Sequence, residues 1–346
     1  IVERLAVLGN EEPARYFESL TRSDDPDTRA FALRNAAMVA RESDTTRVEQ
    51  ALSDPDHDVQ SAVLDGLSHA AAREDPTHPF LETMFTALMP FAAGEQSTQL
   101  DGSAECMGEI DAPRATAILS TPRFIRRDNP NIKDVLATLH KLDFTPDPAL
   151  LWPLLEQARS DLPGYRAERT HGLLLELAAR TPSERVEREI EDALRSSLEG
   201  VRSGAASALL RLHQLPEPVD LLLIGDSERS DVEQYVASVS SLEGQVNNGG
   251  FLQYFFNSTG DDCLVALEAT RAVGLPHTNS QLQRAVAVLG AHEPLADRDR
   301  RLELIADMRD ADEEALESIT SEFFADHDQL VVTLARYMVH HAAAIR

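Results

Sequence analysis

The sequence predicts an all-α protein in two parts: a helical array over residues 1–215 and a compact multi-helix domain over residues 216–346. Three observations carry this expectation. Apolar residues recur at helical spacing, i, i+3/i+4, i+7, along most of the chain. Acidic or Pro/Gly turns punctuate the first part in a repeating way. The break Leu212-His213-Gln214-Leu215-Pro216-Glu217-Pro218 separates the parts, because helix interiors rarely tolerate proline.

In the first part, Asp24-Asp25-Pro26-Asp27-Thr28-Arg29 leads into Ala32, Leu33, Ala36 and Ala37. Asp54-Pro55-Asp56-His57-Asp58-Val59-Gln60 leads into Val63, Leu64 and Leu67, with Thr28 and Val59 aligned at an offset of 31. Leu162-Pro163-Gly164-Tyr165-Arg166 leads into Arg169, Leu173 and Leu174, and Leu198-Glu199-Gly200-Val201-Arg202 into Ala205, Ala206, Ala208 and Leu209. Small Ala residues let helices approach closely, and the turn aspartates can cap the free N–H groups of the next helix. These units resemble HEAT repeats of the short type. The resemblance implies a solenoid over residues 1–215 whose concave surface binds a partner. Residues 75–150 depart from the pattern, with Pro at 76, 79, 90, 113, 122, 130, 146 and 148, and read as helical pairs with irregular connections.

After the break, the apolar run 219–224 fits either a short strand or the end of a packed helix. A helix then starts at Asp231, with Val232, Tyr235, Val236, Val239 and Leu242 on one face. It is expected to end at Val246-Asn247-Asn248-Gly249-Gly250, because Asn and Gly tolerate positive φ. Phe251-Leu252-Gln253-Tyr254-Phe255-Phe256 packs next, and Asn257-Ser258-Thr259-Gly260-Asp261-Asp262 makes a second turn. Further helices are expected over 262–273, 279–290, 298–308, 312–325 and 328–344, the last with Leu330, Leu334, Tyr337 and Met338 aligned.

Composition narrows the partners. The chain carries 59 acidic and 32 basic side chains, a formal net charge of −27, while 42% hydrophobic residues suffice for a core. Such a surface repels phosphate backbones and anionic membranes, so neither is expected as a direct partner. A basic or nucleic-acid-binding protein is the natural complement. Two cysteines, Cys106 and Cys263, offer neither a disulfide framework nor a zinc site and read as buried thiols. With no long apolar run and no leader at its start, the chain is expected in the cytoplasm.

No metal, cofactor or catalytic residue is expected. Asp54, Asp56, Asp58 and Asp65 fall on positions 1, 3, 5 and 12 of a calcium-loop template, but Val59 stands where its Gly belongs and Pro55 intrudes, so a capped turn is the reading. His340 and His341, being adjacent, point to different sides of a helix, and Asp326-His327-Asp328 reads as a capping turn. Nucleophile-elbow, P-loop, dinucleotide and HExxH patterns are missing.

The most distinctive stretch is Val246-Asn247-Asn248-Gly249-Gly250-Phe251, followed by Gln253-Tyr254-Phe255, Asn257-Ser258, and Gly260-Asp261. Ala266, Ala269, Ala272 and Val273-Gly274 follow it. Over residues 220–346 the chain resembles a bacterial all-helical family that includes a DNA-mimic protein. That resemblance implies a negatively charged surface occupying the DNA-binding face of another protein, and a homodimer. The motif itself is not acidic, so it reads as structural. Gly249 and Gly250 serve the turn, Phe251, Tyr254 and Phe255 the core, and Asn247 and Asn257 backbone bonding.

The acidic residues carry the expected partner site. Residues 226–346 hold 21 acidic and 9 basic side chains, a denser negative charge than in residues 1–225. The densest run is Asp307, Asp310, Asp312, Glu313, Glu314 and Glu317, in which 310, 313, 314 and 317 share a helix face. The expected function is a non-enzymatic acidic interaction protein, in its specific form a DNA mimic. The alternatives are an immunity or inhibitor protein against a basic toxin, or an enzyme with a site around Asn247, Asn248, Gln253 and Asn257.

Overall fold

The computed structural model describes residues 19–39, 42–74, 77–96, 100–160, 164–225, 228–290, 295–325 and 328–346. The expectations placed on residues 1–4, Pro76, Leu162, Pro163, Asp326 and His327 lie outside them. Among the described residues the chain forms 17 α-helices and no strand, so the fold is all-α. The chain divides into two compact units, Ile1–Leu177 and Ala178–Arg346.

The first unit contains α1 (Pro26–Val39), α2 (Thr45–Ala51), α3 (His57–Ala71), α4 (Pro79–Ala92), α5 (Ser103–Ile110), α6 (Ala112–Leu119), α7 (Ile132–Lys141), α8 (Pro148–Ala158) and most of α9 (Tyr165–Ala178). Helices α1, α3, α5 and α7 pack in succession, and α2 packs on α4. The small residues of α1 allow the closest approach: Ala32 and Ala37 are fully buried, and a Cβ added at Gly66 of α3 would meet the Arg34 carbonyl at 2.4 Å. One continuous apolar core runs from Leu33 to Leu139.

The turns are held by capping. Asp25 accepts from the Thr28 N–H (3.0 Å), Asp56 from the Asp58 N–H (2.9 Å), and Ser183 from the Val186 N–H (3.3 Å). Asp54 forms a two-pronged bond with Arg29 (3.1 and 3.2 Å), and Asp65 pairs with Arg34. Three of the four aspartates of the calcium template, Asp54, Asp56 and Asp65, are thus spent on a cap and ion pairs. One bond recurs along the chain. Arg29 donates to the Ser23 carbonyl (2.8 Å), Gln60 to the Asp54 carbonyl (2.9 Å), and Arg202 to the Ser196 carbonyl (3.1 Å). Each spans six residues from the same position of its turn.

Prolines in the divergent stretch start helices more than they break them. Pro79, Pro113 and Pro148 sit in first turns, where their missing N–H costs nothing. Pro90 lies inside α4, whose last carbonyls are met by Asn129, Asn131 and Arg126 side chains at 2.6–2.9 Å.

The second unit holds α10 (Glu184–Ala193), α11 (Glu199–Leu212), α12 (Asp231–Phe256), α13 (Cys263–Val273), α14 (Pro276–Gly290), α15 (Arg298–Ala306), α16 (Asp310–Phe323) and α17 (Leu330–His340). Helix α12 is central and contacts α13, α15, α16 and α17. The repeat-like pair α10–α11 belongs to this unit, with α11 packed on α17. The packing divides at 177/178, within the stretch expected as the first part. The apolar run 219–224 is neither strand nor α-helix: Asp220–Leu223 makes one 3₁₀ turn that buries Leu221 and leaves Leu223 exposed.

Candidate functional site

Helix α12 begins with a closed capping box. The Ser230 hydroxyl accepts from the Glu233 N–H (3.2 Å), and the Glu233 carboxylate accepts from the Ser230 N–H (2.7 Å). Glu233 is fully buried and also accepts from the Arg346 N–H (2.9 Å). Burial raises its carboxyl pKa, but the Ser230 and Arg346 bonds outweigh this and hold it below its usual value.

The Asn-Asn-Gly-Gly stretch breaks helical geometry where the stop was expected, and a second helical segment follows directly across a kink. Gly250 adopts φ 74°, ψ −176°, a region open in practice only to glycine, and helical geometry resumes at Phe251. A Cβ at Gly250 would meet the Thr320 hydroxyl at 2.9 Å, and that hydroxyl accepts from the Phe251 N–H (3.1 Å). Gly249 is extended, and a Cβ there would collide with the Gln253 amide. Phe251, Tyr254 and Phe255 are buried as expected, with Phe251 edge-on to Phe323 at 5.8 Å. Burial pushes the Tyr254 phenol far above its usual pKa.

The asparagines need correction. Asn247 is exposed and makes no side-chain bond among the described residues, and Asn248 is exposed as well. The Asn257 side chain donates to Gln245 Oε1 (2.6 Å), not to backbone, and Gln253 donates to the same oxygen (3.4 Å). Gln245 thus staples the kink from both sides. Gln253 and Asn257 converge there, while Asn247 faces another surface.

The centre of the motif loop is a residue that sequence reasoning missed. Arg301 is 0% exposed. It donates to the carbonyls of Phe255 (2.7 Å), Leu295 and Asn257 (3.1 Å), and to Asp261 (2.5 Å). Gly260 lies against it, since a Cβ there would sit 2.9 Å from Arg301 Nε. Asn257, Gly260 and Asp261 therefore build a socket for a guanidinium. The one available signal is an Arg inside Asp297-Arg298-Asp299-Arg300-Arg301, a run that reads as solvated charge.

The acidic run falls on α16 and the turn before it. Asp310, Glu313, Glu314 and Glu317 are all exposed, on the face opposite the buried Leu316, Ile319 and Phe323. None of the four makes an ion pair among the described residues. Asp307 is exposed in the preceding turn. Asp312 departs from the stripe: it is half-buried on the core side and held by Arg309 at 2.8 and 2.9 Å. The Arg309 guanidinium keeps its carboxyl below the usual range.

A cleft of about 260 Å³ opens nearby, between α11, α12, the start of α14 and the α16–α17 junction. Asn247 and Glu243 line it from α12, Gln281 from α14, and Phe323 and Phe324 from α16 and its end. Asp328 closes the N-terminus of α14 by accepting from the His277 N–H (3.2 Å) and the Thr278 N–H (2.7 Å).

No group of three or more His, Cys, Asp or Glu residues arranged for a metal occurs among the described residues. The His340 and His341 rings meet edge to face at 4.8 Å, because His341 leaves the helix and turns onto Tyr337. Both cysteines are buried and free, and burial raises both thiol pKa values. No helix among the described residues is long and apolar enough to cross a membrane.

Comparison with known proteins bears on this second unit. No curated protein matches the chain. A solved structure of an engineered protein is 14% identical and covers 96% of this chain and 99% of its own, with a TM-score of 0.33. The family described as DMP19-like protein matches residues 227–341, so the part of the chain that carries the Asn-Asn-Gly-Gly kink, the Arg301 socket and the acidic helix is similar to the DNA-mimic family.

Proposed function

We propose that this chain is a non-enzymatic interaction protein whose second unit presents a DNA-like row of carboxylates to a basic, nucleic-acid-binding protein. The observation that carries this reading is the exposed face of α16. Asp310, Glu313, Glu314 and Glu317 recur there at i, i+3, i+4 and i+7, and none makes an ion pair among the described residues. Neighbouring side chains on such a face lie ~5–6 Å apart, comparable to the spacing of phosphates along a strand. The similarity of residues 227–341 to DMP19-like proteins supports it. The array in the first unit is proposed as a HEAT-type receptor or scaffold, and the six-residue side-chain bond that recurs there at Arg29 and Gln60 supports that assignment.

The test is capture of a partner by the full chain, followed by its release. A partner held by phosphate-like charge leaves as salt rises from about 50 to about 300 mM, and duplex DNA displaces it. Replacing Asp310, Glu313, Glu314 and Glu317 by their amides weakens capture by about ten-fold or more. A partner retained at high salt and indifferent to DNA overturns the reading.

A further inference from the structure

The cleft in the second unit is chemically unlike the acidic face. It joins the first turn of α11, which carries the last repeat-like motif, to the domain that resembles the DMP19-like proteins. Its volume of about 260 Å³ falls just below the ~300–1,000 Å³ usual for small-molecule pockets and suits one extended side chain.

Its chemistry selects the sign of the occupant. Glu199 and Glu243 contribute carboxylates, against the single guanidinium of Arg202, which donates to the Ser196 carbonyl (3.1 Å). Glu199 is exposed and makes no ion pair among the described residues. The N-terminus of α14 would attract an anion, but the Asp328 carboxylate already occupies it. A cation is therefore favoured. Gln281 is only 6% exposed, lines the cleft and has no side-chain hydrogen bond among the described residues. Its amide is not sealed from solvent, so it stands open to a ligand entering the cleft. Asn247, across the cleft, offers a second amide with no side-chain bond among the described residues. Phe324, 58% exposed, supplies an aromatic face at the rim.

We propose that this cleft receives one arginine side chain of the partner, its guanidinium set between the Glu199 carboxylate and the Gln281 and Asn247 carbonyls and stacked on Phe324. Arginine fits where lysine does not. Its planar fork of five donors can meet several acceptors at once and lie flat on a ring, whereas an ammonium is a compact, strongly hydrated charge. The proposal rests on the reading of a basic protein partner and names the residue that anchors it. It also gives Asn247 a role that the kink does not require.

The test is an NMR titration of the full chain with acetyl-Gly-Arg-Gly-amide and, separately, acetyl-Gly-Lys-Gly-amide. The arginine peptide is expected to shift the Gln281 and Asn247 side-chain amide signals in a saturable way, with the lysine peptide weaker by about five-fold or more. Gln281→Leu and Glu199→Gln are each expected to weaken the arginine peptide by about ten-fold. Glu199 is exposed, so its variant should melt within about 3 °C of the parent and keeps the test valid if Gln281→Leu fails to fold. Equal response to both peptides, shifts confined to α16, or unchanged affinity in Glu199→Gln overturns the proposal. A chain that still loses a basic partner to salt and DNA while ignoring the arginine peptide overturns the cleft alone and leaves the acidic-face reading standing.

Discussion

A guanidinium with no water contact must find its partners inside the protein, and Arg301 finds three carbonyls and one carboxylate. Removing one side of a buried charged network costs about 3–5 kcal/mol, because the groups left behind are desolvated and unpaired. Arg301→Met is therefore expected to lower unfolding stability in urea by about 3 kcal/mol or more. Arg301→Lys should recover little of it, since an ammonium cannot reach carbonyls at both ends of the fork. Gly250→Ala is expected to cost about 2 kcal/mol or more, from the forbidden φ and from the Thr320 hydroxyl 2.9 Å away. The two kinds of residue differ in how readable they are. Gly249-Gly250 announces a backbone irregularity locally. Arg301 acts on residues 40–46 positions upstream, and nothing in its own neighbourhood marks it as buried. Asn247 and Asn257 mislead for a related reason: an asparagine beside a glycine suggests a backbone cap, but which amide turns inward depends on Gln245, one helical turn before the kink.

Element boundaries follow from local chemistry wherever one signal dominates. The later helices lie close to their expected spans, because apolar spacing and capping residues agree there. Helical geometry breaks at the glycines of α12 as expected, and it resumes because Phe251, Tyr254 and Phe255 drive the next turn into the core. Its start is set by Glu233, whose carboxyl pKa is lowered in the folded state. The stabilisation this gives is complete above the unfolded value of about 4.3 and is lost as pH falls through the lowered folded value. Glu233→Gln should melt below the parent by an amount worth about 1–2 kcal/mol at pH 7, and the gap should narrow as the pH is taken below about 4. Cys106 in α5 and Cys263 at the start of α13 are sealed in packing faces with raised pKa values. Neither should react with a disulfide reagent at neutral pH in the folded protein, and both should react after unfolding.

At the scale of the molecule, the net charge of −27 does not say which carboxylates face outward. The fold separates them: Asp310, Glu313, Glu314 and Glu317 stand free, whereas Asp312, Glu322 and Asp261 are held by arginines. Helical periodicity predicts the shared face, while the pairing of Asp312 depends on Arg309 reaching forward from the N-cap into the first turn. The all-α class is legible because turns and apolar spacing repeat throughout. The division of packing at 177/178 is not, because α11 carries a repeat-like motif yet buries its apolar side against α17. A chain beginning at residue 178 should therefore melt well above one beginning at 216, which exposes the face of α17 that α11 covers. Thermal unfolding followed by circular dichroism compares the two.

The Arg301 socket also orders events in time. During synthesis the motif segment 246–261 is complete about 40 residues before the arginine that fills it is added. At about 5–20 residues per second that is a wait of about 2–8 seconds. Throughout it Phe251, Tyr254 and Phe255 have no finished core, since Phe323, the ring edge-on to Phe251, is made later still. The aromatic stretch at the centre of this acidic domain is thus its nascent-chain liability, and the earliest point at which a chaperone or a misfolding partner could claim it.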